Sequence, residues 1–219
     1  MPLETHSRPE KTATNSPSKD LLVAIVDISG SMQSIADDAQ GGLNTYINEQ
    51  KEVEGGAELI LIEFDDQYIQ HPLIDINDFK SYSLKPRGMT AMLDAIGKAI
   101  NFVESVPVEN GGKVIFNIVT DGAENASKEF SRAAIKALIE KKQKDGWEFI
   151  FSAANIDAFA EAGSLGIDPS STIAFDSSAE GSQQVYTAQS NYVGTMRSVG
   201  KAEAKKNLDL DKASMSSIS

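Results

Sequence analysis

The sequence predicts an α/β fold, a doubly wound sandwich whose mostly parallel central sheet has one antiparallel edge strand and helices on both faces. Three observations predict it. Two apolar runs, residues 21–26 and 113–119, each lead to a carboxylate, Asp27 and Asp121, and runs of this kind read as strands buried on both faces. Segments with helical apolar spacing alternate with the strands along the chain. Finally, only Asp65-Asp66-Gln67 separates residues 58–64 from 68–74, too short for a parallel crossover, so that pair is a hairpin.

Taken in order, residues 1–19 carry Pro2, Pro9 and Pro17 among Thr, Ser and Lys without periodicity, and read as a disordered arm. Strand 21–27 follows. Ser31 or Ser34 can cap the next helix, where Ile35, Ala39, Leu43, Tyr46, Ile47 and Val53 share a face. Gly41-Gly42 interrupts that helix at about 1 kcal/mol per glycine relative to alanine; close packing against a neighbouring backbone would justify the cost. Gly55-Gly56 ends it.

After the hairpin and an irregular stretch to Gly88, a helix from Thr90 places Leu93, Ile96, Ile100 and Val103 together. Strand 113–120 precedes an amphipathic helix, 131–144, with Ile135, Leu138, Ile139 and a snorkelling Lys142. Strand 147–153, a short helix 157–162 and a short strand 171–175 lead to the last helix, 180–199, which buries Val185, Ala188, Tyr192, Met196 and Val199. From Lys201 the chain turns polar and reads as a flexible tail, 201–219. One Rossmann-like domain, residues 20–200, is thus expected between an arm and a tail.

Composition narrows the function. A net charge of -12 argues against a nucleic-acid backbone, which demands clustered positive charge, and against an anionic membrane surface. The absence of cysteine excludes disulfides and thiolate metal sites. No apolar leader or membrane-spanning run is present, so a soluble, cytoplasmic protein is expected. His6 and His71, the two histidines, read as solvated surface residues.

The chemistry concentrates at the strand ends. Asp27, Ser29 and Ser31 form a D-x-S-x-S stretch directly after the first strand; Thr90 closes Pro86-Arg87-Gly88-Met89-Thr90; Asp121 lies in Thr120-Asp121-Gly122 at the end of a second strand. Strand ends face the carboxyl edge of an open sheet, where such folds bind ligands. Oxygen donors of this kind suit hard divalent cations. Taken singly, each has a plainer reading: Asp27 as a turn cap, Thr90 as an N-cap, Asp121-Gly122 as a turn pair. An EF-hand fails, since Met32 stands where its glycine belongs and Asp38 where its glutamate belongs. A phosphate-binding G-x-x-x-x-G-K loop is absent, and Asn125-Ala126-Ser127 is a sequon without meaning in a cytosolic protein.

Together, D-x-S-x-S, the threonine and T-D-G, in this order, resemble the metal-ion-dependent adhesion site of von Willebrand factor type A domains. The order of helices and strands resembles that family from about residue 20 to 200, and small stand-alone domains of this type occur in bacteria and their viruses. The resemblance implies that Ser29, Ser31 and Thr90 donate directly to a divalent cation, Mg²⁺ first and Mn²⁺ or Ca²⁺ as alternatives. Asp27 and Asp121 would lie in or near its coordination sphere, commonly through water. It implies a non-enzymatic module that docks a partner protein through an Asp or Glu carboxylate. Lys85, Arg87, Lys128 and Arg132 are candidates for a basic rim that steers an acidic partner. Two alternatives stand beside this reading: a metal-assisted phosphate-ester hydrolase with Ser29 as nucleophile, and self-association through Glu4 and Glu10 or Asp209 and Asp211.

Overall fold

The computed structural model describes residues 18–108, 111–154, 157–175 and 178–216. Seven strands form one sheet: β1 (Asp20–Asp27), β2 (Ala57–Phe64), β3 (Tyr68–Gln70), β4 (Ile74–Asp75), β5 (Val114–Thr120), β6 (Glu148–Ala153) and β7 (Thr172–Ala174). Their spatial order is β3-β2-β1-β5-β6-β7, with β4 also on β2. The β1, β2, β5, β6 and β7 pairs are parallel, and β3 and β4 run antiparallel to β2. The helices are α1 (Ala36–Lys51), α2 (Met92–Val103), α3 (Arg132–Lys144), α4 (Ala158–Ser164), α5 (Ala179–Ser198) and α6 (Lys201–Ser216), with a 3-10 segment, Gly30–Ile35, before α1. The expected doubly wound architecture is the one observed.

β1 is central and wholly buried. Its alternate residues divide between two cores, as a pleated strand requires. Leu22, Ala24 and Val26 face a layer containing Tyr46, Ile47, Val185 and Tyr192; Leu21, Val23 and Ile25 face Ile96, Ile100, Ile135 and Ile139. Helices α1, α5 and α6 therefore cover one face, and α2, α3 and α4 the other.

Some expectations need correction. The hairpin's return strand is split: β3 and β4 flank Pro72, and His71 N–H still donates to Leu61 O at 2.9 Å. Proline cannot donate to a ladder, so pairing lapses there. The helix expected from Thr90 begins at Met92, because Thr90 and Ala91 use their backbone groups in loop contacts described below. Residues 201–216, expected within a flexible tail over 201–219, are helical, and residues 217–219 lie outside the described part. The helix, α6, packs on α5 and buries Ala204 and Leu208. It is tethered by charge, through Lys201 to the buried Glu148 and Lys205 to Asp168. At the other end, residues 1–17 lie outside the described part, and Lys19 pairs with Asp75 of β4.

The two interrupting glycines have different explanations. A side chain at Gly42 would begin 2.0 Å from the Tyr186 ring, whereas one at Gly41 would meet nothing within 4 Å. The close neighbour is thus an aromatic ring on α5, not the backbone that was expected. Lys142, expected to snorkel, is buried instead: its side chain is 8% exposed, its ammonium pairs with Glu104 at 2.6 Å and Asp145 at 3.1 Å, and it lies over the Trp147 ring.

A buried polar lock ties the end of α5 to the start of β1, the end of α1 and the turn before β2. The Arg197 side chain, fully shielded from solvent, donates to Asp20 Oδ2 at 2.9 Å, Gln50 O at 2.7 Å and Gly56 O at 2.8 Å.

Candidate metal centre

Parallel register sets the site. Val26 is level with Val119 and Asp27 with Phe64, so the carboxyl ends of β1 and β5 release Asp27 and Asp121 side by side. The Thr120 hydroxyl donates to Asp27 Oδ2 at 2.5 Å, and Ser29 N–H donates to Asp27 Oδ1 at 2.7 Å. The Ser29 and Ser31 hydroxyls are 3.1 Å apart, and Ser31 Oγ donates to Asp121 Oδ1 at 2.6 Å.

Gly122 marks the point of convergence. A side chain there would begin 3.2 Å from Thr90 Oγ1, 3.3 Å from Ser31 Oγ and 3.9 Å from Asp27 Oδ2; glycine leaves that space to the donors. The structure thus brings all five sequence-predicted residues to one place. Asp27, Ser29, Thr90 and Asp121 are buried, and Ser31 is exposed.

Burial pushes the Asp27 carboxyl up to about 6, against opposing hydrogen bonds from Thr120 and Ser29 and with the help of the neighbouring Asp121 charge. Burial also raises Asp121, opposed by Ser31. Two desolvated carboxylates without a cation resist ionising together. Asp121 Oδ2 is buried with no hydrogen-bond partner among the described residues, and a buried acceptor left unpaired is costly. A divalent cation fits this donor set: it would satisfy that oxygen and favour both ionised carboxylates. Among the described residues no three His, Cys, Asp or Glu side chains gather to hold a metal, so such an ion would rest on two carboxylates and three hydroxyls.

Of the residues that hold these donors in place, Arg87 stands out in the sequence for its charge alone, and the others for no role at the site. Arg87 N–H donates to Ile28 O at 2.6 Å and Gly30 N–H to Gly88 O at 3.2 Å, joining the Thr90 loop to the loop after β1. Asn125 grips Thr90 on both sides. Its Oδ1 accepts from Thr90 N–H at 2.9 Å, and its own N–H donates to Thr90 O at 3.0 Å. Glu124 accepts from Leu93 N–H, Ala126 N–H and both donors of Ser127. Asp94 accepts from the N–H groups of Lys128, Glu129 and Phe130. These backbone bonds hold the Asp94 carboxyl below its ordinary value although burial acts the other way. The one signal available beforehand was the density of Asn, Asp, Glu and Ser around the second strand end, residue types that bond local backbone.

The basic rim is smaller than expected. Arg132 turns to Glu161 and Ser164, at 2.5 and 2.7 Å. Arg87 Nε donates to Asp65 Oδ2 at 2.8 Å, while Lys85 and Lys128 are exposed. His71 bonds Glu63 at 2.8 Å beside the split edge, opposite Leu61, which is level with Ala24 of β1; His6 lies outside the described residues. Of the tail carboxylates, Asp211 accepts from Asn191 at 3.3 Å and Asp209 is exposed. Among the described residues no helix is long and apolar enough to cross a membrane.

No family model matches the chain, and no curated protein does. Solved structures do. Proximal thread matrix protein 1 of the mussel byssus, with zinc in its metal-ion-dependent adhesion site, superposes with a TM-score of 0.61 at 14% identity, over 82% of this chain and 47% of that one. A von Willebrand factor type A protein of Catenulispora acidiphila gives 0.55 at 14% identity, over 79% of this chain and 42% of that one. The corresponding domain of Mfa5, a type V pilus tip protein of Porphyromonas gingivalis, gives 0.57 at 10% identity, over 79% and 95%. The chain spans less than half the length of the mussel and Catenulispora proteins. At these identities the likeness establishes the fold: it is that of von Willebrand factor type A domains.

Proposed function

We propose that this protein is a non-enzymatic interaction module that holds a divalent cation, Mg²⁺ in the first instance, and uses it to dock an Asp or Glu carboxylate of a partner protein. One observation carries the reading: three loops bring five oxygen-bearing side chains together, three of them around the space beside Gly122, and among the five Asp121 Oδ2 is buried without a hydrogen-bond partner among the described residues. Zinc in the corresponding motif of the mussel protein supports a divalent cation in a site of this fold.

In this reading Ser29, Ser31 and Thr90 supply neutral donors, while Asp27 and Asp121 supply the charge. When bound, the ion contributes a positive centre with an open position that attracts an anionic group. Thr120 and Ser29 N–H aim the Asp27 carboxylate, and Ser31 aims Asp121. Asn125 fixes the backbone of Thr90, so the pocket is shaped before any partner arrives.

Calorimetric titration with Mg²⁺, Mn²⁺ and Ca²⁺ on the wild-type chain and on Asp27→Ala tests the metal. Saturable binding lost in the variant is the expected result; equal heats in both overturn the site. Capture of partner proteins with and without chelator then tests docking, which should require metal.

A further inference from the structure

Asp65 is an acid in an unusual position. Its side chain is 2% exposed, and its Oδ2 accepts from Nε of Arg87, whose own side chain is 51% exposed. Its other oxygen, Oδ1, accepts from Gln67 N–H at 2.7 Å, and its main chain is tied to Gln67 and Ala91. A buried carboxylate whose geometry is fixed on every side thus orients an exposed guanidinium. Simple neutralisation would not require the cation to stand in solvent.

The backbone of Arg87 is equally fixed. Its N–H bonds Ile28 O, one residue beyond Asp27, and the next residue, Gly88, accepts from Gly30, between Ser29 and Ser31. Arg87 therefore stands at the lip of the candidate metal centre. Bonding through Nε leaves both Nη groups without a hydrogen bond among the described residues. A guanidinium held by one edge presents the other as a planar fork that matches a carboxylate. Lys85 adds charge nearby but no such geometry, and Arg132 is engaged elsewhere.

We infer that Arg87 is a second anchor for the partner, and that the partner presents two acidic groups, one to the metal and one to the outward edge of this guanidinium. The inference rests on the metal-docking reading above. It sharpens a diffuse basic rim into a single oriented contact, and it makes Asp65 a positioning residue that acts through Arg87.

The test uses the full chain at saturating Mg²⁺ and short blocked peptides with two glutamates separated by zero to three glycines. Each is paired with a control in which the second glutamate is glutamine. The expected result is a preference of about tenfold for one diacidic spacing, abolished by chelator. Arg87→Gln should remove the preference while saturable Mg²⁺ binding persists; its denaturation midpoint should fall, because the buried Asp65 loses its partner, so the peptides are compared well below that midpoint. Arg87→Lys, which keeps charge without the fork, should lose most of it. Metal-dependent binding with no preference, or a preference that survives in Arg87→Lys, overturns the inference and leaves the docking reading standing. Peptide binding that ignores chelator overturns both.

Discussion

The Thr120 hydroxyl donates to Asp27 Oδ2 at 2.5 Å, from the neighbouring strand and beneath the donors of the candidate metal centre. That bond favours the ionised carboxylate, yet burial outweighs it and holds the Asp27 proton until about pH 6, against 3.8 when exposed. The folded chain binds the proton more tightly, so this contribution is complete below about pH 4 and is lost as pH rises through about 6. Its size is about 3 kcal/mol. In chelator, Asp27→Asn should therefore gain stability relative to wild type between pH 4.5 and 7.5, as read by urea denaturation. A pH-independent difference would contradict the assignment. Mg²⁺ affinity should rise over the same interval, because the ion displaces the proton.

Gly42 and Gly41 predict opposite outcomes from the same substitution. Gly42→Ala drives a methyl into the Tyr186 ring and should cost about 1–3 kcal/mol. Gly41→Ala faces open space and should add up to about 1 kcal/mol through helix propensity. Thermal denaturation of the two variants separates them.

Asn125→Ala leaves Thr90 N–H without its acceptor. The substitution should cost about 1–2 kcal/mol and weaken Mg²⁺ binding about tenfold. Hydrogen exchange at the Thr90 amide should accelerate in the metal-free chain, and Asn125→Asp, which keeps an acceptor, should restore protection.

Removing residues 201–219 strips Lys201 from Glu148, a buried carboxylate that also accepts from Ser171 and Tyr192, and uncovers the core beneath Ala204 and Leu208. A loss of about 3–5 kcal/mol is expected from the unpaired charge alone, read as a lower urea midpoint. An unchanged midpoint would mean that α6 is not part of the folded unit.

Strands and site were legible for a common reason. A buried strand advertises itself by an unbroken apolar run, and its last residue marks the sheet edge, so Asp27, Ser29, Ser31 and Asp121 could be placed from spacing alone. Thr90 needed the family pattern as well, since its loop has no periodicity. Asn125, Glu124 and Asp94 escaped because their partners are backbone groups of another loop, which no side-chain pattern encodes. Helix α6 escaped because it buries little beyond Ala204 and Leu208 and is held by lysines reaching acids far back in the chain. The difference between Gly41 and Gly42 depends on where Tyr186 of α5 falls, a tertiary fact invisible in α1.

The break between β3 and β4 bears on crowding. An open sheet margin offers a row of unsatisfied amides to any passing chain and so invites fibrous stacking. Here β3 is three residues long and β4 two, and Pro72 between them withholds a donor where a foreign strand would need one. Many copies of this domain can therefore sit side by side without templating one another along that margin.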